Sequence, residues 1–190
     1  MLKTTELIRD YLNRTDRPFK RIGDRFNLMF GGARRMNAIR VMLTGRDDGI
    51  QMTFFFPMAP EEKQMSGVRE YLKRVDGRLS HGKIETVDGA NEIMYSIVLP
   101  AGQEMNRRQI FNQLRCMLCF GAMMLDAVAE DIICLMALPD ADAAGRADRA
   151  VLPELPYQWP DLPILPLADP SEEEGDNTTH SIDKPDASLF

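Results

Sequence analysis

Three segments of the chain carry apolar residues at the spacing of one helical face. They predict a first helix over residues 4–14, a second from Pro60 to Asp76, and a long third helix from Asn106 to about Leu135. Asn106 and Gln109 form a capping-box pattern where the third helix begins. The predicted core faces are Leu7, Ile8, Tyr11 and Leu12 in the first helix, Val68, Tyr71, Leu72 and Val75 in the second, and Ile110, Leu114, Met117, Leu118, Gly121, Leu125, Val128 and Ile132 in the third.

Between these helices the apolar residues alternate with polar ones, which is typical of strands. The runs RFNLMF, NAIRVML and IQMTFFF precede the second helix, and KIET and EIMYSIVL follow it. TGRDDG and DGAN have the composition of hairpin turns. Phe55 breaks the alternation of its strand, which indicates cover on both faces, either by a partner or by a helix of the same chain. The predicted fold is therefore α+β, with an antiparallel sheet and helices in the order α-β-β-β-α-β-β-α.

The composition changes at residue 139, which divides the chain into a domain over 1–138 and a tail over 139–190. The run ADAAGRADRA suits one or two helical turns, and the following residues are first rich in proline and then polar and acidic. We expect this tail to be extended or disordered because it cannot form its own core. Apolar residues spaced between its prolines are candidate anchors for a groove on the domain: Leu155, Tyr157, Trp159, Leu162 and Ile164.

Charge is distributed unevenly along the chain. Residues 1–46 contain eleven Lys and Arg against four Asp and Glu, a net charge of +7, whereas residues 151–190 contain one against nine, a net charge of −8. The basic third has Phe19, Phe26 and Phe30 among its arginines, a combination that suits phosphate contacts and base stacking. However, the pI of about 5.0 favours a solvated face, or a dock for an acidic partner or the chain's own tail.

The run RCMLCFGAMML places two cysteines on the third helix. At 100° per residue, Cys116 and Cys119 lie opposite the predicted core face and near Met123. They lie inside the helix rather than at its N-terminus, where a redox cysteine gains reactivity, and no second ligand pair accompanies them. We interpret them as apolar residues in a second strip with Phe120 and Met123, which either binds a partner or belongs to an adaptable core.

No motif for catalysis, nucleotide binding, a metal or another cofactor is found in the sequence. Apolar runs are shorter than the roughly 18–20 residues that span a bilayer, and the first residues lack the apolar region of a signal peptide. Three cysteines are an odd number and too few for a disulfide framework. We therefore expect a cytoplasmic protein that is not an enzyme and does not associate with membranes.

The element order and the runs FFFPMAPEEK, YLKRVDGRL, GKIE and LPAGQEMNRRQI resemble the YbjN-type domain family of bacterial sensory-transduction regulators. The resemblance covers about residues 4–136. That family is similar in turn to the type III secretion chaperone fold. The resemblance implies a cytoplasmic, often dimeric α+β module that binds polypeptides, and it brings no catalytic residue or cofactor to this chain.

We therefore predict a chaperone, adaptor or regulator that binds an extended segment of a protein client and forms a homodimer. The alternative is a nucleic-acid-associated regulator that uses the basic N-terminal third. The predicted partner-binding residues are Phe54, Phe55, Phe56, Cys116, Cys119, Phe120 and Met123.

Overall fold

The computed structural model describes residues 4–31, 35–87, 89–100, 106–138 and 141–155. The helices are α1 (Thr4–Arg14), α2 (Met65–Asp76), α3 (Arg107–Ala137) and α4 (Ala143–Arg149), and the strands are β1 (Phe19–Ile22), β2 (Arg25–Gly31), β3 (Ala38–Gly45), β4 (Gly49–Phe55), β5 (Lys83–Thr86) and β6 (Ile93–Pro100). A 3-10 turn over Glu62–Gln64 leads into α2. The predicted α+β class with an antiparallel sheet is confirmed, and the described chain adds a strand and a short helix to the predicted order.

The six strands form one antiparallel sheet in the order β1-β2-β3-β4-β6-β5. The first four strands follow one another as a meander. The predicted TGRDDG turn joins β3 to β4, where Arg46 and Gly49 exchange backbone hydrogen bonds of 2.8 and 3.4 Å. Strand β6 lies between β4 and β5, so the last strand in the sequence is not at the edge of the sheet.

Helices α1 and α3 cover one face of the sheet, and the core lies between them and the strands. The predicted apolar faces of α1, α2 and α3 are all buried, as their 3.6-residue spacing requires. On the strands, buried positions alternate with partly or fully exposed ones, which places every second side chain toward the helices. The helices that pack on this face therefore explain the alternation in the sequence.

Strand β1 was not predicted, because its sequence FKRI carries charges at two of four positions. It pairs with β2 in register from Phe19 opposite Leu28 to Ile22 opposite Arg25. Its last three residues are exposed. Charged side chains of this kind protect an edge strand from pairing with another chain. The strand therefore depends on its partner β2 rather than on an apolar pattern of its own.

Helix α3 begins with the predicted capping box. The Asn106 side chain accepts a hydrogen bond from the Gln109 backbone N–H (3.0 Å), and the Gln109 side chain accepts one from the Asn106 N–H (2.9 Å). In its middle the helix approaches the sheet most closely at Gly121, where a Cβ would overlap the ring of Phe54. A residue without a side chain is required there because the Phe54 ring fills the space.

After residue 138, the described chain forms helix α4 over Ala143–Arg149, within the run ADAAGRADRA for which one or two helical turns were predicted, and is not helical over residues 150–155. Helix α4 packs on α2 and buries Ala143 and Ala147, so the packed domain extends beyond residue 138. The small side chains of Ala143 and Ala147 allow this close packing. Leu152 and Leu155 also pack against the core. Residues 139–140 and 156–190 lie outside the described part of the chain.

Polar contacts attach α4 to the rest of the domain. Asp131 of α3 accepts hydrogen bonds from the Tyr71 hydroxyl (3.0 Å) and from Arg146 Nη1 (3.1 Å). Arg78 donates to the backbone carbonyls of Ala147 and, at 2.8 Å, of Ala150. The two Arg78 bonds cap the C-terminal end of α4, where the Ala147 carbonyl also accepts the Ala150 N–H at 3.3 Å.

Candidate binding surfaces

The face of the sheet opposite the helices is uncovered in the part of the chain that the structure describes. We call it the open face. Its residues alternate in register with the buried ones on the same strands. They are Lys20, Ile22, Arg25, Asn27, Met29, Arg40, Met42, Thr44, Gln51, Thr53, Phe55, Lys83, Glu85, Met94, Ser96 and Val98.

Apolar side chains occur among the charged ones on the open face. Across five strands the register aligns a row in the order Met29, Arg40, Phe55, Met94 and Glu85. At about 4.8 Å between strands, this row is about 19 Å long. Ile22, Met29 and Val98 are 59%, 47% and 39% exposed. An uncovered antiparallel sheet is usually polar on its outer side, so these exposed apolar residues indicate a surface suited to a partner.

The open face is more basic than acidic. It carries Lys20, Arg25, Arg40 and Lys83 against the single carboxylate of Glu85. Arg40 lies 3.8 Å from the Phe55 ring centroid and pairs with Glu92, whose carboxylate oxygen is 2.9 Å away. Lys83 pairs with Glu85, and this hydrogen bond raises the pKa of Lys83.

The two remaining cations of the open face are Lys20 and Arg25. Within the described ranges, neither has a carboxylate at ion-pair distance. Unpaired positive charge next to exposed apolar side chains is complementary to an acidic polypeptide.

The three phenylalanines predicted as partner-binding residues lie in two different environments. Phe54 is fully buried and Phe56 is 5% exposed, both on the covered side of the sheet. Phe55 is half-buried on the open face beneath Arg40. The prediction that Phe54 and Phe56 contribute to a surface is therefore wrong, because α3 packs on their side of the sheet.

The second predicted surface lies on the outer side of α3. Cys119 and Met123 are exposed there, Met123 by 52%, and Cys116 is half-buried, as the helical projection predicts. Phe120 is not part of this strip, because it is 6% exposed and packs edge-on against Tyr95, with ring centroids 6.3 Å apart. We call Cys116, Cys119 and Met123 the outer strip. It has fewer residues than the open face.

Burial influences the ionisable groups near the outer strip. It raises the pKa of Tyr11 from 10.0 to about 12 and raises the pKa of the Cys116 thiol. A raised pKa keeps the Cys116 thiol protonated at neutral pH, whereas reactive cysteines have a lowered pKa. Within the described residues, no group of three or more His, Cys, Asp or Glu is arranged to hold a metal ion.

The basic N-terminal third does not present its aromatic residues for stacking. Phe26 is fully buried, and Phe19 and Phe30 pack against the core. The faces of Phe26 and Phe30 are also occupied by arginines, since Arg21 lies 5.4 Å from the Phe26 centroid and Arg17 lies 4.7 Å from that of Phe30. Base stacking on these rings would require the arginines to move and, for Phe26, the core to open.

Among the predicted tail anchors, the structure describes Leu155, which packs against the core beside β6 and α3. Tyr157, Trp159, Leu162 and Ile164 lie outside the described residues. Within the described ranges, no helix is both long enough and apolar enough to cross a membrane.

No family model matches the sequence, and no curated protein matches it. Among solved structures, three chains match. One is a crystal structure of "YbjN, a putative transcription regulator from E. coli", with a TM-score of 0.49 and 13% sequence identity. The alignment covers 67% of this chain and 92% of that chain.

Proposed function

We propose that this chain is a non-catalytic protein-binding module, an adaptor or regulator, that binds an extended segment of another protein on its open face. The observation that carries the proposal is the row of Met29, Phe55 and Met94 on a sheet face that no described helix covers. Met29 is 47% exposed on this face, and the side chains of Phe55 and Met94 are partly exposed, so each leaves apolar surface in contact with water. A partner that covers them supplies the missing burial.

The side chains of this face suit a polypeptide in particular. Methionine adapts its shape to different apolar side chains, and an extended segment presents such side chains at every second residue. Lys20 and Arg25, at the β1–β2 end, attract carboxylates and favour an acidic segment. The expected partner is therefore a polypeptide with apolar anchors and a negative net charge, bound across the strands. We also propose that the chain acts as a homodimer.

A pair of matched charge substitutions tests which surface binds. Met29→Glu changes the open face and Met123→Glu changes the outer strip, at side chains with similar exposures of 47% and 52%. We expect each to change the free energy of unfolding by about 0.5 kcal/mol or less, because both residues lie on the surface. Immobilised full-length protein captures candidate partners from the native host, and each partner is then purified and its Kd measured.

We expect Met29→Glu to raise the Kd of a partner at least about tenfold, which corresponds to about 1.4 kcal/mol of binding free energy. Met123→Glu should leave the Kd unchanged. The reverse pattern would assign binding to the outer strip. If no partner is captured and light scattering shows a monomer, the adaptor proposal fails. A single-stranded oligonucleotide is titrated in parallel, because steeply salt-dependent binding that Lys20→Glu abolishes would support the nucleic-acid alternative instead.

A further inference from the structure

Strand β5 pairs with only the first half of β6. Its first residue, Lys83, lies opposite Ser96, and β6 continues to Pro100. At Gly82, which has a φ of +77°, the chain turns away from β6. A Cβ at this position would lie only 2.5 Å from the Tyr95 hydroxyl oxygen and 2.6 Å from the Ser96 carbonyl oxygen. Glycine permits this turn, and the edge of β6 after Ser96 has no neighbouring strand in the described part of the chain.

The backbone of Val98 faces this free edge. In an antiparallel sheet the N–H and C=O of one residue point to the same side of the strand, and the side alternates along it. The Ile93 carbonyl accepts a hydrogen bond from Phe56 on the β4 side, at 2.9 Å. Val98 lies five residues after Ile93, so its N–H and C=O point to the opposite side. They form a short template on which an extended segment can add as a strand.

A largely apolar cavity of about 590 Å³ lies beside this edge. Ile97, Val98 and Pro100 line it from β6, Met117 lines it from α3, and Leu155 lines it from the end of the described chain. The free edge and the cavity are thus parts of one site, which offers backbone hydrogen bonds and a space for large apolar side chains.

The chain after α4 runs toward this site. Residues 148–155 first line a cavity with Met124 and Phe120 of α3, and Leu155 then reaches the cavity lined by Met117. The segment therefore runs along α3 toward its N-terminal end, over about 10 Å between Met124 and Met117. The described chain therefore ends beside the free edge of β6.

We propose that residues 156–160 of this chain, PYQWP, lie in this cavity as an extended segment beside β6. Pro156 and Pro160 favour an extended backbone at the residues before them, Leu155 and Trp159. In an extended chain, Tyr157 and Trp159 lie on the same side as Leu155, whose side chain already lines the cavity. The three residues between the prolines have N–H groups that can donate hydrogen bonds to this edge.

The chain's own tail is the expected occupant because it begins at the mouth of the cavity. A segment attached there has a high effective concentration at the site, so it competes well against a separate partner of similar affinity. This inference goes beyond the proposed function, since it concerns the end of the sheet next to β5 rather than the row centred on Phe55. A docked tail would border the open face at Val98 and Ser96.

Fluorescence of Trp159, the single tryptophan of the chain, tests the proposal in the full-length protein. We expect emission at a shorter wavelength than in the chemically unfolded chain, weak quenching by acrylamide, and no change with protein concentration. Val98→Pro removes the N–H that faces the free edge and leaves the β4–β6 hydrogen bonds in place, so it shifts the emission to the wavelength of the unfolded chain. Val98→Thr keeps the N–H and leaves the emission unchanged.

Three results would overturn the proposal. Trp159 could emit at the wavelength of the unfolded chain in the wild-type protein, its shorter-wavelength emission could persist in folded Val98→Pro, or the emission could depend on concentration, which would place the tail on a second copy. If Val98→Pro does not fold, the test is instead the rate of hydrogen exchange of the Val98 amide, compared between the wild-type protein and a tail variant. The double variant Tyr157→Ser/Trp159→Ser then accelerates this exchange if the tail covers the edge, and equal exchange contradicts the docking.

Discussion

Phe54 and Phe55 are neighbours on β4 and point to opposite faces of the same sheet. Phe54 is fully buried against Gly121 of α3, whereas Phe55 is half-buried on the open face with Arg40 above its ring. The first position is determined by packing within the chain. The second is not, since a polar residue would suit a solvated face equally well. The difference shows that adjacent apolar residues of one strand can have different environments, one in the core and one on the open face.

Truncation of each phenylalanine gives the largest expected difference between the two faces. We expect Phe54→Ala to lower the free energy of unfolding by about 3–5 kcal/mol, because it leaves a cavity under α3. Phe55→Ala is expected to cost about 1 kcal/mol, for a lost cation–π contact and partial burial. Urea unfolding monitored by circular dichroism measures both. Equal losses would mean that Phe55 is covered as well, and a loss for Phe55→Ala that depends on concentration would indicate a dimer interface.

Tyr11 tests whether water is excluded from the core between the helices and the sheet. Its side chain is 2% exposed. Burial raises its pKa from 10.0 to about 12, so the folded protein favours the neutral phenol. This stabilisation is fully present below pH 10 and is lost as the pH rises from 10 to 12, by about 2–3 kcal/mol. Tyr11→Phe removes this loss, so the unfolding free energies of variant and wild type diverge by about that amount. Parallel curves from pH 8 to 12 would show that water reaches Tyr11.

The contact between α3 and the sheet can be tested at Gly121. We expect Gly121→Ala to lower the free energy of unfolding by about 1–3 kcal/mol, because the added methyl group overlaps the Phe54 ring. In the Gly121→Ala background, Phe54→Leu should cost less than it does alone, because the smaller side chain makes room. Gly31→Ala is the matched control, since a Cβ at Gly31 has no neighbour within 4 Å, and it should change stability by about 0.5 kcal/mol or less. Additive effects of the two substitutions would contradict a direct contact.

The sequence allowed the helical faces and most strands to be predicted, because both are local periodic patterns. The buried face of α1 can be recognised from the spacing of Leu7, Ile8, Tyr11 and Leu12 within that one helix. The capping box of α3 can be recognised from four consecutive residues. Strand β1 has four residues and two charges, so its presence depends on pairing with β2. Such pairing between segments leaves no periodic signal in β1 itself.

The candidate binding surfaces were only partly predictable for a related reason. Helical projection placed Cys119 and Met123 correctly on the outer side of α3, because azimuth is a local property. Phe120 has an azimuth near theirs, yet Tyr95 and the segment after α4 bury it. Likewise, alternation along the strand predicts that Phe54 and Phe56 point to the face opposite Phe55. It does not predict which face the helices cover, because contacts between distant segments decide this.

The position of β6 between β4 and β5 has a consequence for the order in which the molecule assembles. Strands β1 to β4 can pair in succession as they are synthesised. The second partner of β4 is β6, which begins 38 residues after Phe55, the last residue of β4. The β5–β6 hairpin is local and can form separately before it joins β4. Folding is then the docking of a four-stranded meander and a hairpin. Until residue 100 leaves the ribosome, the edge of β4 is open to the wrong strands of other chains.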